Sequence, residues 1–176
     1  MNQNWHIETQ AVQAGYRPGN GEPRTLPLYQ STTYKYDDAQ SVADLFDLKS
    51  EGFFYTRLAN PTVDAFEKKM AALEGGVAAV AVSAGQTASM LAILNIARAG
   101  DHIVAVASLY GGTVSLFTNT FSKLGIEFTF VQPDADSETV RKAIRPNTKA
   151  IFAETLANPA LIVLDIERFA GTAHEA

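Results

Sequence analysis

The sequence predicts an α/β fold, a mainly parallel sheet with helices on both faces, from three observations. Four short apolar runs recur at nearly even intervals: V-A-A-V-A-V from Val77, H-I-V-A-V-A from His102, I-E-F-T-F-V from Ile126 and A-I-F-A-E-T from Ala150, in steps of 25, 24 and 24 residues. Between them lie Q-T-A-S-M-L-A-I-L-N-I-A-R, G-T-V-S-L-F-T-N-T-F-S-K-L-G and D-S-E-T-V-R-K-A-I-R-P, all of helical length and ended by Gly or Pro. The runs are also apolar throughout, as strands buried on both faces must be, and crossovers of this length suit parallel neighbours.

The elements before Val77 follow from more local signals. Residues 1–35 are polar and broken by Gly15, Pro18, Gly19, Gly21, Pro23 and Pro27, with no sustained periodicity, and read as an extended arm. Asp37 to Lys49 carries Val42, Leu45 and Phe46 behind acidic and serine residues, which predicts a short helix ending before Gly52. A second helix is better marked. Asn60 can cap it, Pro61 fits its first turn, Val63, Phe66, Met70 and Leu73 give it a face, and Gly75-Gly76 stop it. These boundaries divide the chain into an arm with a short helix, residues 1–52, and a domain portion, residues 53–176.

Composition narrows the function classes. A 176-residue chain with 47% apolar and 19% charged residues can bury a sizeable core. Its net charge of −5, with lysines and arginines scattered, offers no stripe for a nucleic-acid backbone. The apolar runs fall short of a membrane span, and the opening M-N-Q-N-W-H-I-E-T-Q lacks a basic region followed by an apolar one, so the expected location is the cytoplasm. With no cysteine, disulfides, thiolate zinc sites and a cysteine nucleophile are excluded. His6, His102 and His174 are too widely spaced to suggest a metal site.

Ligands of open α/β sheets bind beyond the carboxyl ends of the strands, so the residues that follow each run carry the functional question. After the first run comes S-A-G-Q-T-A-S, where Gly85 allows a tight turn and Gln86 opens a helix whose unpaired N–H groups suit an anion. It has neither a Walker lysine nor a dinucleotide fingerprint, and a plain strand-to-helix turn reads equally well. S-L-Y-G-G-T after the second run puts Tyr110 at the same edge, where its ring could stack on a flat ligand or simply pack on the core. E-T-L-A-N-P after the fourth brings Glu154 and Asn158 there, although Asn-Pro is ordinarily a turn signal. Upstream, in E-G-F-F-Y-T-R-L-A-N-P-T, Tyr55 and Arg57 lie two apart; in an extended backbone both side chains would reach one target together, and a phosphate suits the pair. The bland alternative is a half-buried ring and a surface ion pair.

Taken together, Y-T-R-L-A-N-P-T, L-E-G-G-V-A-A-V-A-V-S-A-G-Q-T-A, S-L-Y-G-G-T and E-T-L-A-N-P-A closely resemble the Cys/Met-metabolism family of pyridoxal-phosphate enzymes over nearly the whole chain. The resemblance implies an aminotransferase-like, fold type I large domain with pyridoxal 5'-phosphate as cofactor. Tyr55 and Arg57 would bind the phosphate of a neighbouring subunit, and the backbone N–H groups of Gly85 and Gln86 would bind it within the same subunit. Tyr110 would stack on the pyridine ring and serve as the catalytic residue by assisting proton transfer. Asn158 would hydrogen-bond the ring hydroxyl, with Glu154 supporting the loop around it. The implied reaction is γ-replacement, in which an amino acid substrate, O-acetyl-L-homoserine, exchanges acetate for sulfide or a thiol to give homocysteine or methionine. The implied assembly is a homo-oligomer, dimer or tetramer, with a site shared between subunits. The family's lysine anchor and the aspartate that pairs with the pyridine nitrogen match no position before Ala176, and the fold is expected to be incomplete at its C-terminus. The competing readings are a non-catalytic cofactor-binding fragment or paralogue, another member of the family, and a generic nucleotide-binding module.

Overall fold

A computed structural model describes residues 5–176, so the first four residues of the expected arm lie outside it. The chain divides into two compact units, Met1–Ala81 and Val82–Ala176. The expected boundary lay after residue 52; the physical division falls later, because the helix that begins at Pro61 packs on the N-terminal segment.

In the first unit, α1 (Ile7–Gln13) forms where the sequence suggested only an arm. It is held by packing against α3 (Pro61–Leu73), and the contact is close: Gly15, at φ +89°, sits where a Cβ would come within 2.1 Å of the Ala65 carbonyl oxygen. The short helix α2 (Ala39–Phe46) is capped by Asp38, whose carboxylate accepts the Ser41 N–H. The predicted cap of α3 is present. The buried Asn60 accepts from the Thr62 N–H at 2.9 Å and donates to the Tyr29 carbonyl at 2.9 Å, so one amide both starts the helix and pins the segment before it. At the other end Gly75, at φ +66°, lets the Gly76 N–H return to the Ala71 carbonyl, closing the helix in a Schellman arrangement.

The run from Val77 is not a strand, contrary to expectation. Val77 and Val80 are exposed, none of the three paired strands takes the segment as a neighbour, and the Ala81 N–H is satisfied by the Glu67 carboxylate of α3 at 2.7 Å. A strand exists only when a neighbour accepts its backbone groups, and apolar character alone does not supply one.

The second unit contains the sheet. Strands β1 (His102–Val106), β2 (Glu127–Val131) and β3 (Thr148–Phe152) are all parallel, in the order β2-β1-β3. Helices α4 (Gly85–Ile96) and α5 (Gly111–Ser115) accompany one face, where Ile93, Ile103, Ala105 and Phe117 form a core with Phe128 and Phe152. Helices α6 (Ser137–Ala143) and α7 (Ile166–His174) cover the other, around Val104, Val106, Val140 and Phe169. The alternation of Ile103 and Ala105 against Val104 and Val106 explains why β1 is apolar at every position after His102. Past α5 the helix continues as a π turn, Leu116–Thr120, and a 3-10 turn, Phe121–Leu124. The π turn sets Phe117 inward, stacked on Phe128 at 4.3 Å between centroids and edge-on to Phe152 at 5.0 Å.

At the amino edge of the sheet His102 is fully buried and joins both flanking strands, Nδ1 with Thr148 Oγ1 at 2.7 Å and Nε2 with Thr129 Oγ1 at 2.8 Å. A neutral imidazole donates through one nitrogen and accepts through the other, which suits two hydroxyl partners. Burial pushes its pKa below 6.5, and the nearby Arg145 guanidinium pushes the same way against a smaller opposing effect of Glu127. The unfolded chain therefore binds more protons than the folded one between the lowered value and about 6.5, so stability falls as pH drops through that window and is unaffected above it. Urea midpoints of the wild type should fall more steeply below pH 6.5 than those of His102→Asn; equal slopes would remove His102 from this role.

Candidate cofactor site

The carboxyl edge of the sheet assembles three of the segments singled out in the sequence. Helix α4 begins at Gly85 behind Ala84, which has no side chain able to cap it. Elsewhere Asp38, Asn60, Asp136 and Asp165 accept main-chain N–H groups at the starts of α2, α3, α6 and α7. Among the described residues the first N–H groups of α4, like those of α1 and α5, have neither an intrahelical acceptor nor a capping side chain, and the space a Cβ of Gly85 would enter is open. Donors aligned at the positive end of a helix dipole attract an anion.

Tyr110 follows β1 and is the N-cap of α5. The residue is 50% exposed, and the edge of its ring lies against Gly112, where a Cβ would be only 2.6 Å from Tyr110 Cε1. The main-chain N–H of Tyr110 is shared by both oxygens of Glu154, at 3.1 and 3.2 Å, so the segment after β3 is tied to the segment after β1. Gln86 adds a second tie by donating through Nε2 to the buried Thr113 Oγ1 at 3.1 Å, which joins the starts of α4 and α5. The other amide atom, Gln86 Oε1, is buried without a partner among the described residues. Thr113 was not singled out by sequence reasoning, which read Gly112 only as one of two glycines that let the backbone approach a ligand closely. The only sequence signal of Thr113 is that it continues the S-L-Y-G-G-T turn, because the Gln86 bond spans 27 residues.

Asn158 stands apart from this network. It is exposed on the turn of a small hairpin after β3, closed by an antiparallel bridge between Leu156 and Val163, and makes no side-chain hydrogen bond among the described residues.

In the first unit the Tyr55 and Arg57 expectation needs correcting in its geometry. Tyr55 does bridge an antiparallel neighbour, Thr33, but the extended backbone stops there, because the N–H groups of Leu58 and Ala59 both return to the Tyr55 carbonyl, at 2.9 and 3.1 Å. The two side chains meet through a turn, with the Arg57 guanidinium 5.1 Å from the Tyr55 ring centroid. Arg57 has no ion-pair partner among the described residues, so its surface ion pair is not found. Both residues line a cleft of about 460 Å³ with Tyr34, Tyr36, Phe46 and Phe54.

Lys149 lies near the start of β3, 3.7 Å from Asp101, which precedes β1; this is the amino edge, opposite Tyr110. No group of residues among those described could hold a metal ion, and no helix among them is long and apolar enough to cross a membrane.

A family model described as Cys/Met metabolism PLP-dependent enzyme matches residues 8–176. The chain is 49% identical over 171 residues to an O-acetyl-L-homoserine sulfhydrylase of Corynebacterium glutamicum, covering 97% of this chain and 39% of the relative. It is 50% identical over 176 residues to one of Leptospira meyeri, covering 99% and 40%. The chain therefore spans about two fifths of the length of these relatives. A crystal structure from Campylobacter jejuni containing N'-pyridoxyl-lysine-5'-monophosphate superposes with a TM-score of 0.85 at 35% identity, over 98% of this chain and 42% of that one.

Proposed function

Because the chain belongs to the Cys/Met metabolism PLP-dependent enzyme family, we propose that it supplies the phosphate and ring seats of a γ-replacement transferase acting on O-acetyl-L-homoserine. Sulfide or a thiol would replace acetate, giving homocysteine or methionine. The observation that carries the reading is the uncapped start of α4, open at Gly85 and joined through Gln86 and Thr113 to the turn that carries the half-exposed Tyr110. Free donors at a helix start beside an exposed aromatic face fit a phosphate attached to a flat ring. The names of the two relatives support the choice of substrate.

Within this reading the N–H groups of Gly85 and Gln86 hold the phosphate, Tyr110 faces the pyridine ring and moves a proton through its hydroxyl, and Asn158 donates to the ring hydroxyl. Glu154 acts on the loop. Tyr55 and Arg57 reach the phosphate of a second copy, Arg57 through the planar fork of donors that an ammonium lacks. The cofactor supplies an electron-withdrawing ring that stabilises negative charge on the substrate carbons. The chain's lysines include none on the segments that carry Gly85, Tyr110 or Glu154, so the 176 residues alone are expected to bind cofactor without turnover.

Acetate release from O-acetyl-L-homoserine on adding sulfide, measured on a holoenzyme containing this chain, tests the reaction and the sharing together. Subunits carrying Arg57→Ala or Gly85→Asp should each be impaired, and mixing them should restore part of the rate in hybrids. Acetate release independent of sulfide would contradict γ-replacement by sulfide, and folded, mixed variants without any recovery would contradict a shared site.

A further inference from the structure

Tyr110 is placed by two contacts that have nothing to do with its hydroxyl. The first is Glu154. Its two oxygens accept the same N–H, that of Tyr110, and it has no ion-pair partner among the described residues. A carboxylate at a helix start normally accepts from the second or third residue of the helix, as Asp136 does from Thr139 at the start of α6. Here it holds the N-cap residue itself, so what it fixes is the peptide plane from which the Tyr110 side chain projects, at φ −51° and ψ 136°.

The second contact is Gly112. Its φ lies outside the left-handed region, so the backbone does not demand glycine there. What a Cβ there would meet is the edge of the Tyr110 ring, 2.6 Å from Cε1 and 3.1 Å from Cδ1, so the ring would have to turn aside. With half of its surface exposed, the ring has little core packing to hold it, and its angle follows from the fixed peptide on one side and the bare Gly112 on the other.

We propose that Glu154 and Gly112 are positioning residues that set the plane of the Tyr110 ring, so that Glu154 acts on cofactor binding through Tyr110 and not by touching the cofactor. This rests on the reading of Tyr110 as the ring seat. The neighbouring Gln86–Thr113 bond keeps that seat in register with the start of α4, which makes a small tilt of the ring a change in its distance from any ligand held at Gly85.

Two readouts on the 176-residue chain separate the claims. Without cofactor, the ring edge beside Gly112 should give its Cα protons a ring-current shift in the NMR spectrum, and Glu154→Ala should change that shift, while Glu154→Gln, which keeps one acceptor oxygen, should preserve most of it. With pyridoxal phosphate as the probe, Glu154→Ala and Gly112→Ala should each weaken binding roughly threefold to tenfold, the size of a lost aromatic contact. Glu154→Gln should recover most of the affinity. Both losses should shrink below about twofold in a Tyr110→Ala background, because positioning residues matter only while the ring is present. Undiminished losses in that background, or an unchanged Gly112 shift in Glu154→Ala, would overturn the proposal. A shift lost without any change in affinity would also overturn it. A wild-type chain that binds no pyridoxal phosphate would sink the reading of the site, while the Gly112 shift would still decide whether Glu154 places the ring.

Discussion

Gly85→Asp is expected to lower affinity for pyridoxal phosphate by at least about a hundredfold while leaving the chain as stable as before, or more so. The two effects have opposite signs because they act on the same dipole. A carboxylate at the first position of α4 meets open space and the positive end of a helix, which stabilises by about 0.3–1 kcal/mol. The same carboxylate faces the phosphate, and two like charges about 4 Å apart repel by roughly 4 kcal/mol at the effective dielectric of a protein surface. Absorbance titration with the cofactor and urea unfolding read the two effects separately. Retained affinity would mean that the phosphate does not sit at this helix start, whereas a collapse in stability would mean that the helix start tolerates no side chain.

Phe117→Ala is expected to destabilise the chain by about 3–5 kcal/mol, among the largest losses available to any single truncation. Phe117 is completely buried and touches aromatic rings on three sides, Phe128 stacked, Phe152 edge-on and Phe121 at 5.9 Å. The cavity cannot close easily, because Phe128 and Phe152 belong to β2 and β3 on either side of β1. Calorimetric or urea unfolding measures the loss, and a change below about 1 kcal/mol would mean that the helix after Tyr110 repacks freely and does not hold the site.

The parts of this structure that were legible in sequence are those decided locally. Asn60 and Pro61 announce the start of α3 because a cap needs only the two or three residues that follow it, and Gly75-Gly76 announce its end for the same reason. The runs at His102, Ile126 and Ala150 became β1, β2 and β3 because each has a neighbour in the chain to pair with. The equally apolar run at Val77 did not, since pairing is a property of the partner as much as of the segment. Helix α1 was invisible because its support is α3, some fifty residues away, and not its own pattern. The turn after Tyr55 escaped notice because its hydrogen bonds, not its residue spacing, decide where Arg57 lies. Gly85, Gln86, Tyr110 and Glu154 stood out as candidates in the sequence because each follows an apolar run or opens a helix. The Tyr110–Glu154 and Gln86–Thr113 bonds did not, because they join residues 44 and 27 positions apart.

The central claim is that this chain holds its cofactor by the phosphate at the start of α4. The most direct measurement is calorimetric titration of the 176-residue chain with pyridoxal phosphate and, in parallel, with pyridoxal, which keeps the ring and aldehyde but lacks the phosphate. The account predicts saturable binding of pyridoxal phosphate, competition by inorganic phosphate, and binding of pyridoxal at least about tenfold weaker, since the charge-assisted bonds of the helix start are lost. Equal affinity for the two, undisturbed by phosphate, would mean that the aldehyde or the ring carries the interaction, and would contradict it.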